Sequence, residues 1–147
     1  RDFQGNGFLR SFLSGFYGYC RLLHDSTQLT QDIFLCEHSE EPPGEQLSLV
    51  RFDPQNREAI YNLPVLVGSE SYPCQGEKVD SEVKDAGLKD LNGDGVPDII
   101  ITLHAEECPE DTATIKLMAN PEVHDPFAHI STKYQPDAET SAFFSKF

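Results

Sequence analysis

Tryptophan is absent from this chain and methionine occurs once. Basic residues are scarce: 11 Lys and Arg stand against 25 Asp and Glu, a formal net charge of −14 at neutral pH. A chain this acidic repels phosphate backbones, which argues against a nucleic-acid partner, and an anionic membrane surface repels it for the same reason. No run approaches ~18 uninterrupted apolar residues, so the sequence carries no transmembrane helix. Cys-x-x-Cys pairs, a His-Glu-x-x-His motif, a Gly-x-Ser-x-Gly elbow, a phosphate loop and a dinucleotide fingerprint are all missing. There is no Asn-x-Ser/Thr sequon, and so no sign of a glycosylated surface. No internal repeat of useful length is visible, which argues against a solenoid or a complete propeller.

What is present bounds the fold. A length of 147 residues with 38% hydrophobic content is enough for one core, and the chain reads as a single domain over 1–147. It opens on Arg1, not Met, as a processed protein or a fragment would. Phe8, Leu9, Phe12, Leu13, Phe16 and Tyr17 recur on one face at helical spacing, which predicts a short N-terminal helix. Downstream, short runs bounded by turn residues predict strands over 19–23, 32–37, 46–52, 58–61, 65–67, 98–103, 113–118 and 129–134. In 46–52 the alternation predicts a strand with one well-buried face. The polar, acidic stretch 69–85 receives no strand, and 138–144 reads as a closing helix or strand. The predicted class is α+β, mostly antiparallel β, with one short N-terminal helix and a single compact domain.

The four cysteines are Cys20, Cys36, Cys74 and Cys108. Four cysteines allow three pairings. Cys20 and Cys36 fall in neighbouring strand-like runs, which favours Cys20–Cys36 together with Cys74–Cys108. A disulfide framework points to an oxidising compartment.

One segment carries a specific chemistry. In 89–98 the chain reads Lys-Asp-Leu-Asn-Gly-Asp-Gly-Val-Pro-Asp. Side-chain oxygens recur at loop positions 1, 3, 5 and 9, as Asp90, Asn92, Asp94 and Asp98, and Val96 can offer its carbonyl at position 7. Calcium is a hard ion that takes 6–8 oxygen ligands, so several such groups must converge on it. Gly95 stands at position 6, where a sharp turn favours positive φ. Three carboxylates packed without an ion would repel one another. Position 12 is Ile101, where an EF-hand requires a bidentate Glu, and Pro97 with Ile99, Ile100 and Ile101 makes the exit a strand. Asp85, Glu106 or Glu107 could complete the ligand set. The expected cofactor is a structural Ca2+. The loop resembles the calcium loops of FG-GAP and VCBS-type repeats over residues of about 87–103. That resemblance implies a strand-joining loop whose ion is structural.

No catalytic residues are assigned. His104 follows the strongest strand and precedes Glu106 and Glu107, and it reads as a surface or capping histidine. Residues 77–111 hold eleven acids and three bases, a net of −8. Such charge steers association with a basic protein. Together these features describe a secreted or periplasmic, non-enzymatic, calcium-binding interaction domain, of inhibitor or immunity type, with a basic partner. The alternatives are a small secreted hydrolase with a structural calcium and a fragment of a larger surface adhesin.

Overall fold

In Glu77–Lys89, apolar Val79 and Val83 alternate with charged Asp80, Glu82 and Lys84, and the inward positions are buried while the outward ones are exposed. That period of two is the signature of a half-buried strand, and it recurs along the chain. The structure is a computed structural model that describes residues 18–23, 33–38, 44–52, 58–109, 112–125 and 128–147. Its strands are β1 (Gly18–Leu23), β2 (Ile33–His38), β3 (Glu45–Phe52), β4 (Glu58–Cys74), β5 (Glu77–Lys89), β6 (Asp98–His104), β7 (Ala113–Ala119) and β8 (Tyr134–Pro136). Each pairs antiparallel with its neighbours in sequence, giving one eight-stranded meander. Two short helices, α1 (Ile130–Lys133) and α2 (Ala138–Phe144), lie on either side of β8.

This corrects the expected class. Among the described residues the protein is an antiparallel sheet with minor C-terminal helices, not an α+β fold built on an opening helix. The helix expected around Phe8–Tyr17 lies outside the described residues. The two runs at 58–61 and 65–67 are parts of one strand of 17 residues, because Pro64 is exposed within it and does not end it. The stretch 69–85 is the β4–β5 hairpin and not a strandless region. The strand expected at 129–134 is largely α1, and only Tyr134 enters β8. The closing segment 138–144 is helical: Asp137 caps α2 by accepting the Thr140 N–H at 2.8 Å. The buried Thr140 hydroxyl in turn accepts the Lys116 N–H at 2.9 Å, which fastens the helix to β7.

The β4–β5 turn is two residues long, and both Gln75 (φ 50°) and Gly76 (φ 86°) have positive φ. A turn with that pair of angles matches the right-handed twist of the strands it joins. The sheet bends farther along the same hairpin, where pairing shifts between Gly68 and Tyr72. Gly44 lies against this bend at φ +90°; a Cβ there would stand 3.1 Å from both the Ser71 Cβ and the Val67 carbonyl. The bend brings β1 towards β5, so the sheet curls round its inner face.

That face holds the main core, including Leu35, Leu49, Leu63, Val67, Ile99, Ile101, Leu103, Ile115 and Leu117. Tyr72 joins it, and Phe143 of α2 packs against Tyr72 with ring centroids 6.0 Å apart. The opposite side of β1–β3 is buried as well, around Cys20, Phe34, Cys36 and Val50. Strand β3 therefore has two buried faces, not one: Leu47, Ser48, Leu49, Val50 and Arg51 are all buried. Arg51 donates from Nη2 to the Ala128 carbonyl at 2.6 Å, which draws the segment before α1 onto the sheet.

Both expected disulfides are present. Cys20 and Cys36 are directly opposed on β1 and β2 with Cα atoms 4.0 Å apart. Cys74, at the tip of the β4–β5 hairpin, joins Cys108 in the loop after β6. The second bridge closes a sequence separation of 34 residues. In the chain-entropy account, removing it by Cys74→Ala with Cys108→Ala lowers the unfolding free energy by about 3–4 kcal/mol. Urea unfolding followed by circular dichroism measures this; a loss below about 1 kcal/mol refutes the constraint.

Candidate functional site

Two features gather polar side chains: the β5–β6 loop and a groove at the opposite end of β6. The loop follows Lys89, the last residue of β5, and hands the chain to Asp98, the first of β6. Lys89 and Asp98 are register partners, so the loop is the connection of a hairpin. Gly93 (φ 78°) and Gly95 (φ 86°) supply the left-handed turns that wrap it.

The loop is organised by its own carboxylates. Asp90 accepts the Gly93 N–H on Oδ1 and the Gly95 N–H on Oδ2, each at 2.9 Å. Asn92 Oδ1 accepts the Asp94 N–H at 3.3 Å, and Asp94 Oδ1 accepts the Val96 N–H at 3.0 Å. Asn92, Asp94 and Gly95 are exposed, while Val96 packs against the main core and pins the loop to the sheet. The amides aimed at Asp90, Gly95 first and then Gly93, hold its carboxyl below the ordinary value of 3.8. It is thus ionised throughout the neutral range.

Asp98 is placed differently. It is fully buried, accepting the Leu91 N–H on Oδ2 at 2.9 Å and the Ala119 N–H on Oδ1 at 2.7 Å. Its charge lies near Tyr134, whose phenol is raised by burial first and by Asp98 second. The structure therefore brings Asp90, Asn92, Asp94 and Val96 into one surface turn and sets Asp98 beneath it. Among the described residues, no three His, Cys, Asp or Glu side chains stand together as a group that could hold a metal ion. The donors of the loop are nonetheless all hard oxygens. Each carboxylate oxygen has two lone pairs, so accepting one amide leaves capacity for a cation.

Glu106 and Glu107 belong elsewhere. A strand rises ~3.3 Å per residue, which puts the His104 end of β6 about 20 Å from the loop. Asp85 is also remote, five positions back along β5 from Asp90, and its Oδ1 accepts the Ala86 N–H at 2.9 Å. None of the three is a candidate to complete the loop.

At that far end, Asp80, Ser81 and Glu82 of β5 line a groove with His104, Glu106 and Glu107. Glu82 and His104 are register partners and so share a face. Glu106 and Glu107 follow at once, in a turn closed by the Cys108 N–H donating to the Ala105 carbonyl at 3.0 Å. The buried Ser81 hydroxyl lies 3.4 Å from that of Ser71. Sequence reasoning missed this gathering because Asp80 and Glu82 were assigned no strand. The alternation of Val79 and Val83 about them was the available signal.

The negative field extends from Glu82 towards Glu37 of β2. Burial is the main cause that raises the Glu37 carboxyl; Glu45 adds to it, Arg21 opposes it, and Glu82 adds a smaller push. A folded-state pKa above the unfolded one gives stability that is complete below the unfolded value and lost as pH rises through the folded value. Ionised Glu37 therefore opposes folding at neutral pH. Glu37→Gln is expected to raise the melting temperature at pH 7 and to leave it unchanged near pH 3, below the ordinary value of 4.5. Melting curves across that pH range check this, and an equal shift at both ends refutes the assignment.

No protein-family model, no curated protein and no solved structure matches this chain.

Proposed function

We propose that this protein is an extracytoplasmic, non-enzymatic binding domain. A calcium ion braces its 90–98 loop, and its acidic groove receives a basic segment of a protein partner. The groove carries this reading: Asp80, Glu82, Glu106 and Glu107 converge from two elements of a chain with a net charge of −14. Concave clusters of one sign focus the field and raise the encounter rate with opposite charge. The two disulfides fit an oxidising compartment, where calcium is also plentiful.

Asp90, Asn92 and Asp94 are the side chains that would hold the ion, with the Val96 carbonyl. Its double positive charge would offset the repulsion between the loop carboxylates. Lacking the bidentate Glu of an EF-hand, the loop suits a weak structural site in a calcium-rich setting.

Thermal unfolding under non-reducing conditions tests the calcium part. Calcium at ~100 times its dissociation constant stabilises by about 2.7 kcal/mol, which is about 5–10 °C for a chain of this size. The shift disappears in Asp90→Ala and Asp94→Ala, and magnesium does not reproduce it. A melting temperature indifferent to calcium and chelator ends the calcium reading.

The partner part is tested with a lysine-rich peptide as probe. Titration calorimetry at low salt shows binding that weakens as salt rises, and Glu106→Lys with Glu107→Lys weakens it roughly tenfold or more. Binding unchanged by the double reversal removes the groove from the interaction. His104 beside carboxylates also supplies proton donors and acceptors for the hydrolase alternative. Turnover of a glycan, ester or peptide that His104→Ala abolishes in a folded protein would replace the binding reading.

A further inference from the structure

Among the described residues, Asn92-Gly93 is the single Asn-Gly dipeptide and Asp94-Gly95 the single Asp-Gly, and they stand end to end in the β5–β6 loop. Both carry the same latent reaction. The main-chain nitrogen of the glycine can attack Cγ of the residue before it and close a cyclic succinimide. Glycine hinders this step least, because it brings no Cβ. Nothing steric blocks it here. Asn92, Gly93, Asp94 and Gly95 are all exposed, and a Cβ built on either glycine would meet nothing within 4 Å.

The nitrogens that would attack are nonetheless held. Asp90 accepts the Gly93 N–H on Oδ1 and the Gly95 N–H on Oδ2, each at 2.9 Å. Attack requires the nitrogen to give up its proton and its peptide plane to rotate towards Cγ. A hydrogen bond donated to a carboxylate opposes both, because an amide anion beside a like charge is disfavoured and the bond fixes the plane. The other bonds of the loop do not protect. Asn92 Oδ1 accepts the Asp94 N–H at 3.3 Å, which draws electron density from Cγ and favours attack. Protection therefore falls to Asp90.

We propose that the β5–β6 loop is a latent site of spontaneous modification at Asn92 and Asp94, and that Asp90 suppresses it by holding the amides of Gly93 and Gly95. The reaction at Asn92 balances with water alone. The Gly93 nitrogen loses its proton to solvent and bonds to Cγ. The Cγ–Nδ2 bond breaks, and Nδ2 leaves as ammonia with a proton drawn from water. A water molecule then opens the ring, at one carbonyl to give aspartate and at the other to give isoaspartate. At Asp94 the same attack expels water in place of ammonia. Conversion of Asn92 adds a negative charge to an acidic loop. Isoaspartate also lengthens the main chain by a methylene, which upsets the spacing that lets one carboxylate reach both glycines. Modification at the first dipeptide thereby unguards the second. None of this depends on a bound cation.

The test incubates wild type, Asp90→Ala and Asp90→Asn at neutral pH with chelator present, folded and in urea. Peptide mapping by mass spectrometry follows deamidation at Asn92, and methylation by an isoaspartyl methyltransferase follows isoaspartate. Asn6-Gly7, which lies outside the described residues, falls in a separate peptide and is the reference in urea. Folded wild type is expected to deamidate at Asn92 about tenfold more slowly than in urea, the effect of one charge-assisted hydrogen bond. Asp90→Ala recovers most of the unfolded rate, and Asp90→Asn, which keeps an acceptor without the charge, falls between. Isoaspartate at Asp94 follows the same order.

Equal rates for wild type folded and in urea overturn the proposal. Folded Asp90→Ala that stays as slow as wild type also overturns it, because the protection then comes from elsewhere in the loop. Should Asp90→Ala not fold, amide hydrogen exchange in wild type decides. Gly93 and Gly95 exchange about tenfold more slowly than in the urea-unfolded chain if Asp90 holds them. Exchange of these exposed amides without protection overturns the proposal.

Discussion

Among the described residues, a single sheet with a mostly apolar inner face has only two short helices beside it and must largely cover itself. That constraint governs this protein. Leu35, Leu49, Val67, Val83, Ile101 and Ile115 come from six consecutive strands and share one core. A layer of secondary structure buries its apolar face against another layer, and here the second layer is the sheet's own other half. The long β4 and β5 strands, the shifted pairing at Gly68 and the close approach at Gly44 are the local means of making that turn. The two short helices only close the end, where α2 lays Phe143 on Tyr72.

Once the apolar side faces inward, the charge has one place to go. The outward positions of β5 carry Asp80, Glu82 and Lys84, and among the described residues the turns at the two ends of β6 add Asp90, Asp94, Glu106 and Glu107. The fold concentrates this charge at the two ends of β6: a loop wrapped about its own carboxylates and a groove with carboxylates on both walls. Asp98 is the exception that fits the rule, because two main-chain amides meet its buried charge. Glu37 is the costlier case, held partly out of water beside acids of the same sign.

Much of this architecture was legible in the residues. Ile99, Ile101 and Leu103 announced β6, and the neighbouring cysteine runs announced both the β1–β2 pair and its bridge. Polar composition concealed the β4–β5 hairpin, since Ser71 and Ser81 take inward positions that a reader expects to be apolar. Pro64 suggested a break in β4, and the strand runs on because the proline falls where the pairing with β3 shifts register. The helix expected near the start came from spacing alone and lies outside the described residues. In the loop, spacing located every oxygen-bearing side chain but said nothing of depth. Asp90 and Asp98 look equivalent in sequence, and only the position of Ala119 in the folded sheet separates them.

The order of pairing along the meander has a consequence for biogenesis. Each strand finds its partner in the strand just made, and the cysteines follow the same rule: first with second, third with fourth. Contacts near in sequence form without waiting for distant segments, because little loop entropy has to be lost. An oxidant that joins thiols in the order they emerge therefore makes the native set directly. Oxidation in that order leaves no crossed bridge for an isomerase to undo.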